Sequence, residues 1–167
     1  KNVGLVVNHS SLTAQMHLVD TLFASDVCIS RIFAPEHGFR GAAEAGALIK
    51  DDQDVRTGTP IVSLYGKKKK PLPEDLDNVD VVVFDIQEVG ARFYEHINIL
   101  AFVMDAAAEY GLEVVVLDRP NPITGRRADG FVTDSARRYR FGSYADVPVV
   151  HGLTMGELAR FYNGERL

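Results

Sequence analysis

The chain has 167 residues, 46% of them hydrophobic, with 18 Lys and Arg against 23 Asp and Glu and a formal net charge of −5, the composition of one ordinary globular domain with its own core. This balance argues against a nucleic-acid partner, because phosphate binding needs a concentrated basic face and only Lys67 to Lys70 form a basic run, read here as a solvated loop. The single cysteine, Cys28, excludes an intrachain disulfide and a multi-cysteine metal site, and no window has the length of a membrane span or the form of a signal segment.

Five short apolar runs read as strands: "VGLVVN" (3–8), "VCISRIF" (27–33), "PIVSLY" (60–65), "VDVVVFD" (79–85) and "EVVVLD" (113–118). Helical patterns separate them, near 15–25, 73–77 and 93–110. Continuous apolar strands alternating with helices predict an α/β fold, a Rossmann-like three-layer sandwich with a mainly parallel sheet of about five strands and helices on both faces. Along the long helix, Tyr94, Ile97, Leu100, Ala101, Met104 and Ala108 share one face, and Gly111 follows its last turn. A final helix starts at "LTMGE", where Thr154 and Glu157 have capping-box spacing. Cys28 falls in the second run and reads as an inert small hydrophobe. Residues 119–150 are rich in Arg, Gly and Pro with little periodicity, which marks a long surface excursion of a functional or partner-contacting kind. The chain starts at Lys1 and enters a strand almost at once, which suggests a processed or trimmed N-terminus.

An open parallel sheet binds ligands beyond the carboxyl ends of its strands, where the strand order reverses. In this sequence those ends carry Asn8, His9 and Ser10 after the first strand, Glu36, His37 and Arg40 after the second, and Tyr65 after the third. Asp85, Gln87 and Arg92 follow the fourth, and Asp118, Arg119 and Asn121 the fifth. Polar and titratable side chains therefore crowd one edge. In "FAPEHGFRG" Pro35 stops the strand and two glycines permit a tight loop that presents Glu36 and His37. A partly desolvated Glu36 near Asp85 or Asp118 would act as a general acid; alternatively Glu36 pairs with Arg40 and holds the loop. Asp85 either contacts a ligand or orients its turn, Arg92 either binds an anionic group or neutralises Asp85 or Glu88, and Asp118 either serves the site or pairs with an arginine.

"GAAEAG" (41–46) resembles a phosphate loop only superficially, since Ala47 stands where that motif needs lysine, and no nucleotide cofactor is expected. The histidines lack zinc spacing, and no metal is expected, although Glu36, His37, Asp85 and Asp118 could assemble a site in space.

Four segments, "FAPEHGFRG", "VVVFDIQEVGARFYEHI", "VLDRPNPITG" and "PVVHGLTMGELARFYN", occur in an order that resembles the exo-β-N-acetylmuramidase family, long known only as a bacterial domain of unknown function. The resemblance runs from "GLVVNHSSLT" to the last helix. It implies that residues 1–167 form an N-terminal Rossmann-like domain, with 151–167 leading toward a C-terminal domain of the same protein and the cleft at their junction. It also implies an extracytoplasmic, periplasmic or secreted hydrolase that removes N-acetylmuramic acid from the non-reducing ends of peptidoglycan fragments. Its substrate is a saccharide or muropeptide, and this portion alone is expected to be inactive. On the same grounds Glu36 is the leading acid/base candidate, with Asp85 and Asp118 as possible catalytic partners. Asn8, His37, Arg40, Gln87, Arg92, Arg119, Asn121 and His151 are expected to line the cleft. Glu88 stands where the family commonly has aspartate, and "NPITG" where it has a double glycine. The competing readings are a non-catalytic saccharide-binding module and a metal-dependent hydrolase using His37 and the strand-end carboxylates.

Overall fold

The first apolar run becomes the centre of a six-stranded sheet. The computed structural model describes residues 1–35, 39–40, 52–66, 68–134 and 146–166. Strand β1 (Val3–Val7) is buried at every position because both its faces are covered, which is why it reads as a continuous apolar run. It pairs in parallel with β4 (Ile29–Ala34) on one side and β7 (Val81–Asp85) on the other. Beyond β4 lie β6 (Pro60–Ser63), parallel, and β5 (Asp52–Gln53), antiparallel at the edge. Beyond β7 lies β8 (Glu113–Val116), also parallel. The order is β5-β6-β4-β1-β7-β8, so the five expected strands form the parallel sheet and the two-residue β5 is added to it.

Helix α1 (Leu18–Ala24) packs one face through Leu18 and Val19 onto Leu5, Val7 and Ile32. Helices α2 (His96–Glu109) and α3 (Met155–Arg166) cover the other, with Ile97, Leu100, Val103, Met155 and Leu158 against Val6, Phe33 and Phe84. Before α1 a small hairpin, β2 (Leu12–Thr13) with β3 (Met16–His17), takes the first residues expected to be helical.

Several boundaries differ from expectation for local reasons. Asp26 has φ 58°, and the β4 ladder begins only at Ile29, leaving Cys28 exposed rather than inside the strand. Helix α2 starts at His96, not near 93, so Tyr94 lies outside it and is exposed. Ile97, Leu100 and Ala101 are buried as their spacing predicts, but Ala108 is exposed and the buried stripe continues through Val103, Ala106 and Ala107. The reason is that α2 packs against both the sheet and α3. The capping box forms: Thr154 N–H donates to Glu157 Oε2 at 2.9 Å and Glu157 N–H to Thr154 Oγ1 at 3.2 Å. No helix among the described residues is long and apolar enough to cross a membrane.

Candidate functional site

The chain builds β1, β4 and β6 outward in one direction, then crosses to β7 and β8, so the strand order reverses between β1 and β7. The two exits at that reversal are stitched together. Ser11 Oγ donates to the Asp85 carbonyl, and Gln87 N–H donates to Ser10 Oγ at 3.0 Å. Asn8, 2% exposed, organises the β1 exit by accepting the Ser10 N–H and hydroxyl on Oδ1. Gln87 Nε2 donates to the carbonyls of Glu88 and Pro120 and so ties the β7 exit to the β8 exit.

Asp85 is fully buried at the end of β7, and Arg119 meets it with two parallel hydrogen bonds, Nε to Oδ1 at 2.8 Å and Nη2 to Oδ2 at 2.9 Å. This bidentate pairing is the strong form of the interaction, and it raises the Arg119 pKa. A third Arg119 contact reaches the Leu12 carbonyl at 3.2 Å. Asp118 turns elsewhere: its carboxylate accepts from Thr154 Oγ1 at 2.8 Å and from Gly156 N–H at 2.7 Å, capping the start of α3. Asn121 donates to the Leu153 carbonyl and accepts from the Ile123 and Thr124 N–H groups. Gly90 packs under it; a Cβ there would lie 2.6 Å from Asn121 Oδ1.

Arg40 is held by two carboxylates. Its Nε and Nη2 donate to Asp54 at 3.0 and 2.9 Å, and its Nη1 and Nη2 donate to Asp20 at 3.0 and 2.9 Å. The guanidinium also lies 4.7 Å over the Phe39 ring, and Arg56 adds a second cation to Asp20. The Phe39 carbonyl accepts from His17 Nε2, which reaches the Asn8 carbonyl as well. Pro35 and Phe39 are both buried. Glu36 and His37, between them in sequence, lie outside the described residues, as does the "GAAEAG" segment.

His151 and Glu88 form a buried pair, 4% and 1% exposed. Leu153 N–H donates to His151 Nδ1, so the ring carries its proton on Nε2, which faces Glu88 Oε1 at 3.5 Å. Glu88 Oε1 also accepts the Gly90 N–H, while its Oε2 has no partner among the described residues. Arg92, 8% exposed, pairs with neither Asp85 nor Glu88; its Nη2 donates to the Phe131 carbonyl at 3.2 Å.

The structure thus gathers Asn8, Asp85, Gln87 and Arg119 at the reversal point, with Asn121 attached through the β8 exit. Arg92 and His151 lie together where Ala91 bridges Val150 and Arg92 N–H meets the Val149 carbonyl. Arg40 lies within its own ion cluster. Asp20 and Asp54, which hold Arg40, and the pairing of Glu88 with His151 were not foreseen from the sequence; the Asp54-x-x-Thr57-Gly58 turn pattern carried a signal for Asp54. Among the described residues no group of three His, Cys, Asp or Glu side chains could hold a metal ion. A groove of about 430 Å³ between α2, β8 and α3, lined by Met104, Leu112, Val116 and Tyr162, contains none of the candidate residues.

A parallel sheet with helices on both faces and polar side chains gathered at the strand-order reversal defines a Rossmann-like α/β domain. The family described as "Exo-beta-N-acetylmuramidase NamZ, N-terminal" matches residues 3–167, and the chain belongs to that family. It is 44% identical over 167 residues to the peptidoglycan beta-N-acetylmuramidase NamZ of Bacillus subtilis, covering 99% of this chain and 40% of that protein. Two solved DUF1343 family proteins of Bacteroides fragilis share the fold. One has a TM-score of 0.89 with 41% identity, the other 0.84 with 38%, covering 99% of this chain and 41% and 42% of theirs. The chain therefore spans about two fifths of the length of these relatives.

Proposed function

We propose that this domain is the sugar-binding and proton-donating portion of an extracytoplasmic exo-β-N-acetylmuramidase that releases N-acetylmuramic acid from the non-reducing ends of peptidoglycan fragments in cell wall degradation. The observation that carries the reading is 44% identity along essentially the whole chain to a peptidoglycan β-N-acetylmuramidase. The polar strand-end edge at the reversal point supports it, because a saccharide needs many directed hydrogen bonds.

Glycoside hydrolysis needs a proton for the leaving oxygen and stabilisation of an oxocarbenium-like transition state. Glu36, two residues after the end of β4 in sequence, is the acid in this reading. Asp85 is neutralised by Arg119, and Asp118 is committed to α3. Neither carboxylate therefore offers a free nucleophile, which favours assistance by the substrate's own 2-acetamido oxygen. The remainder of the cleft comes from a C-terminal domain of the same protein.

The test is release of N-acetylmuramic acid from a chromogenic muramic glycoside by the full-length protein and its Glu36→Gln variant. The variant is expected to lose about 10²- to 10⁴-fold in kcat, the usual contribution of a general acid. Binding without turnover by the unmodified protein would instead identify a recognition module.

A further inference from the structure

We propose that Arg92 receives the substrate's carboxylate, the lactyl group that distinguishes muramic acid from glucosamine; the inference rests on the muramidase reading above and names the residue that gives that site its specificity. The argument starts from charge compensation. A buried cation is ordinarily paired, since removal from water is costly without a partner. Arg40 has Asp20 and Asp54, Arg56 has Asp20, and Arg119 has Asp85. Arg92 is more buried than any of these, yet among the described residues its guanidinium makes one hydrogen bond, to the Phe131 carbonyl, and its buried Nε has no partner.

The two carboxylates at the β7 exit are already used. Asp85 faces Arg119, and Glu88 faces His151 and the Gly90 N–H. What remains is a positive planar fork whose shape fits a carboxylate bidentately.

The surroundings suit a sugar. Phe93 and Tyr94, the residues after Arg92, are 72% and 56% exposed, and Phe131, whose carbonyl holds the guanidinium, is 79% exposed. Aromatic side chains exposed on the two segments that hold this cation are available for a ligand to cover. The C–H face of a pyranose does so while its lactyl carboxylate reaches Arg92. The backbone is fixed for this: Arg92 N–H is bonded to the Val149 carbonyl, and Ala91 is bridged to Val150.

The test is calorimetric binding of N-acetylmuramic acid, its methyl ester and N-acetylglucosamine to the full-length protein and to its Arg92→Gln and Arg92→Lys variants. The unmodified protein is expected to prefer the acid over the ester by about tenfold or more, equivalent to about 1.4 kcal/mol. Arg92→Gln should remove that preference while binding the ester and N-acetylglucosamine within about twofold of the original, and Arg92→Lys should retain part of it. Unchanged acid preference in a folded Arg92→Gln variant overturns the proposal, as does equal binding of acid and ester by the unmodified protein. Should Arg92→Gln fail to fold, the acid-to-ester ratio in Arg92→Lys decides in the same way, a ratio equal to that of the unmodified protein counting against. Because the readout is binding, it separates from the muramidase reading: absence of glycoside turnover defeats that reading and leaves the acid-to-ester ratio still informative about Arg92.

Discussion

Removing Arg40 should be among the most damaging single changes in the described part of the chain. The substitution Arg40→Ala deletes four hydrogen bonds and leaves two carboxylates, Asp20 at 8% and Asp54 at 3% exposure, without their main cation. Breaking a buried ion pair from one side costs about 3–5 kcal/mol. Asp20 keeps the exposed Arg56 and Asp54 keeps the Thr57 N–H and hydroxyl, which places the expected loss near the lower end, about 3 kcal/mol. For a domain of this size that corresponds to a fall in Tm of about 6–12 °C. The pH dependence has a definite sign. The Arg40 hydrogen bond is the largest influence on Asp20 and lowers its pKa below 3.8. For Asp54 burial is the largest influence and pushes upward, but the hydrogen bonds from Arg40 and Thr57 outweigh it and the pKa is again lowered from 3.8. Both groups therefore stabilise the fold fully above that value and lose their contribution as the pH falls below it. Calorimetry from neutral to acid pH should show the unmodified protein losing stability more steeply than Arg40→Ala. A Tm within about 2 °C of the original at neutral pH would refute the reasoning, being less than about 1 kcal/mol.

Two further substitutions probe the strand-end edge. Asp85→Asn keeps the shape but cannot accept both Arg119 donors, and should lower stability by about 3 kcal/mol in urea unfolding; an unchanged midpoint would mean that Arg119 does not need the charge. Gly156→Ala would normally favour a helix by about 1 kcal/mol, but its Cβ would lie 2.7 Å from the Asp118 carboxyl. The sign should reverse, with faster hydrogen exchange in the first turn of α3, and a stabilised variant would show that the Asp118 contact is dispensable.

The parallel strands were legible because a strand buried on both faces has to be apolar along its length, as β1 is and as β7 is up to its terminal Asp85. The hairpin β2–β3 and the edge strand β5 were not, since two residues cannot establish a period. The start of α2 was misplaced because Tyr94 is apolar at helical spacing yet belongs to an exposed turn. The strand ends do bring Asp85, Gln87, Arg119 and Asn121 to one edge, because topology alone carries them there. Partner choice was not readable: Arg40 finds Asp20 and Asp54 across 20 and 14 residues, and Arg119 finds Asp85 across 34. Several acids were available at comparable distances along the chain, and only the folded backbone selects among them. His151 and Glu88, 63 residues apart, make the same point.

Residues 118 and 119 are neighbours with divided duties. Asp118 grips the first turn of α3, while Arg119 neutralises the buried end of β7. Their α-carbons are joined by one planar peptide unit. Helix α3 and the Arg119–Asp85 pair are therefore anchored at neighbouring residues of the β8 exit. A displacement of the last helix is thereby coupled, through the Asp118 hydrogen bonds and one peptide unit, to the Arg119–Asp85 pair at the strand-order reversal.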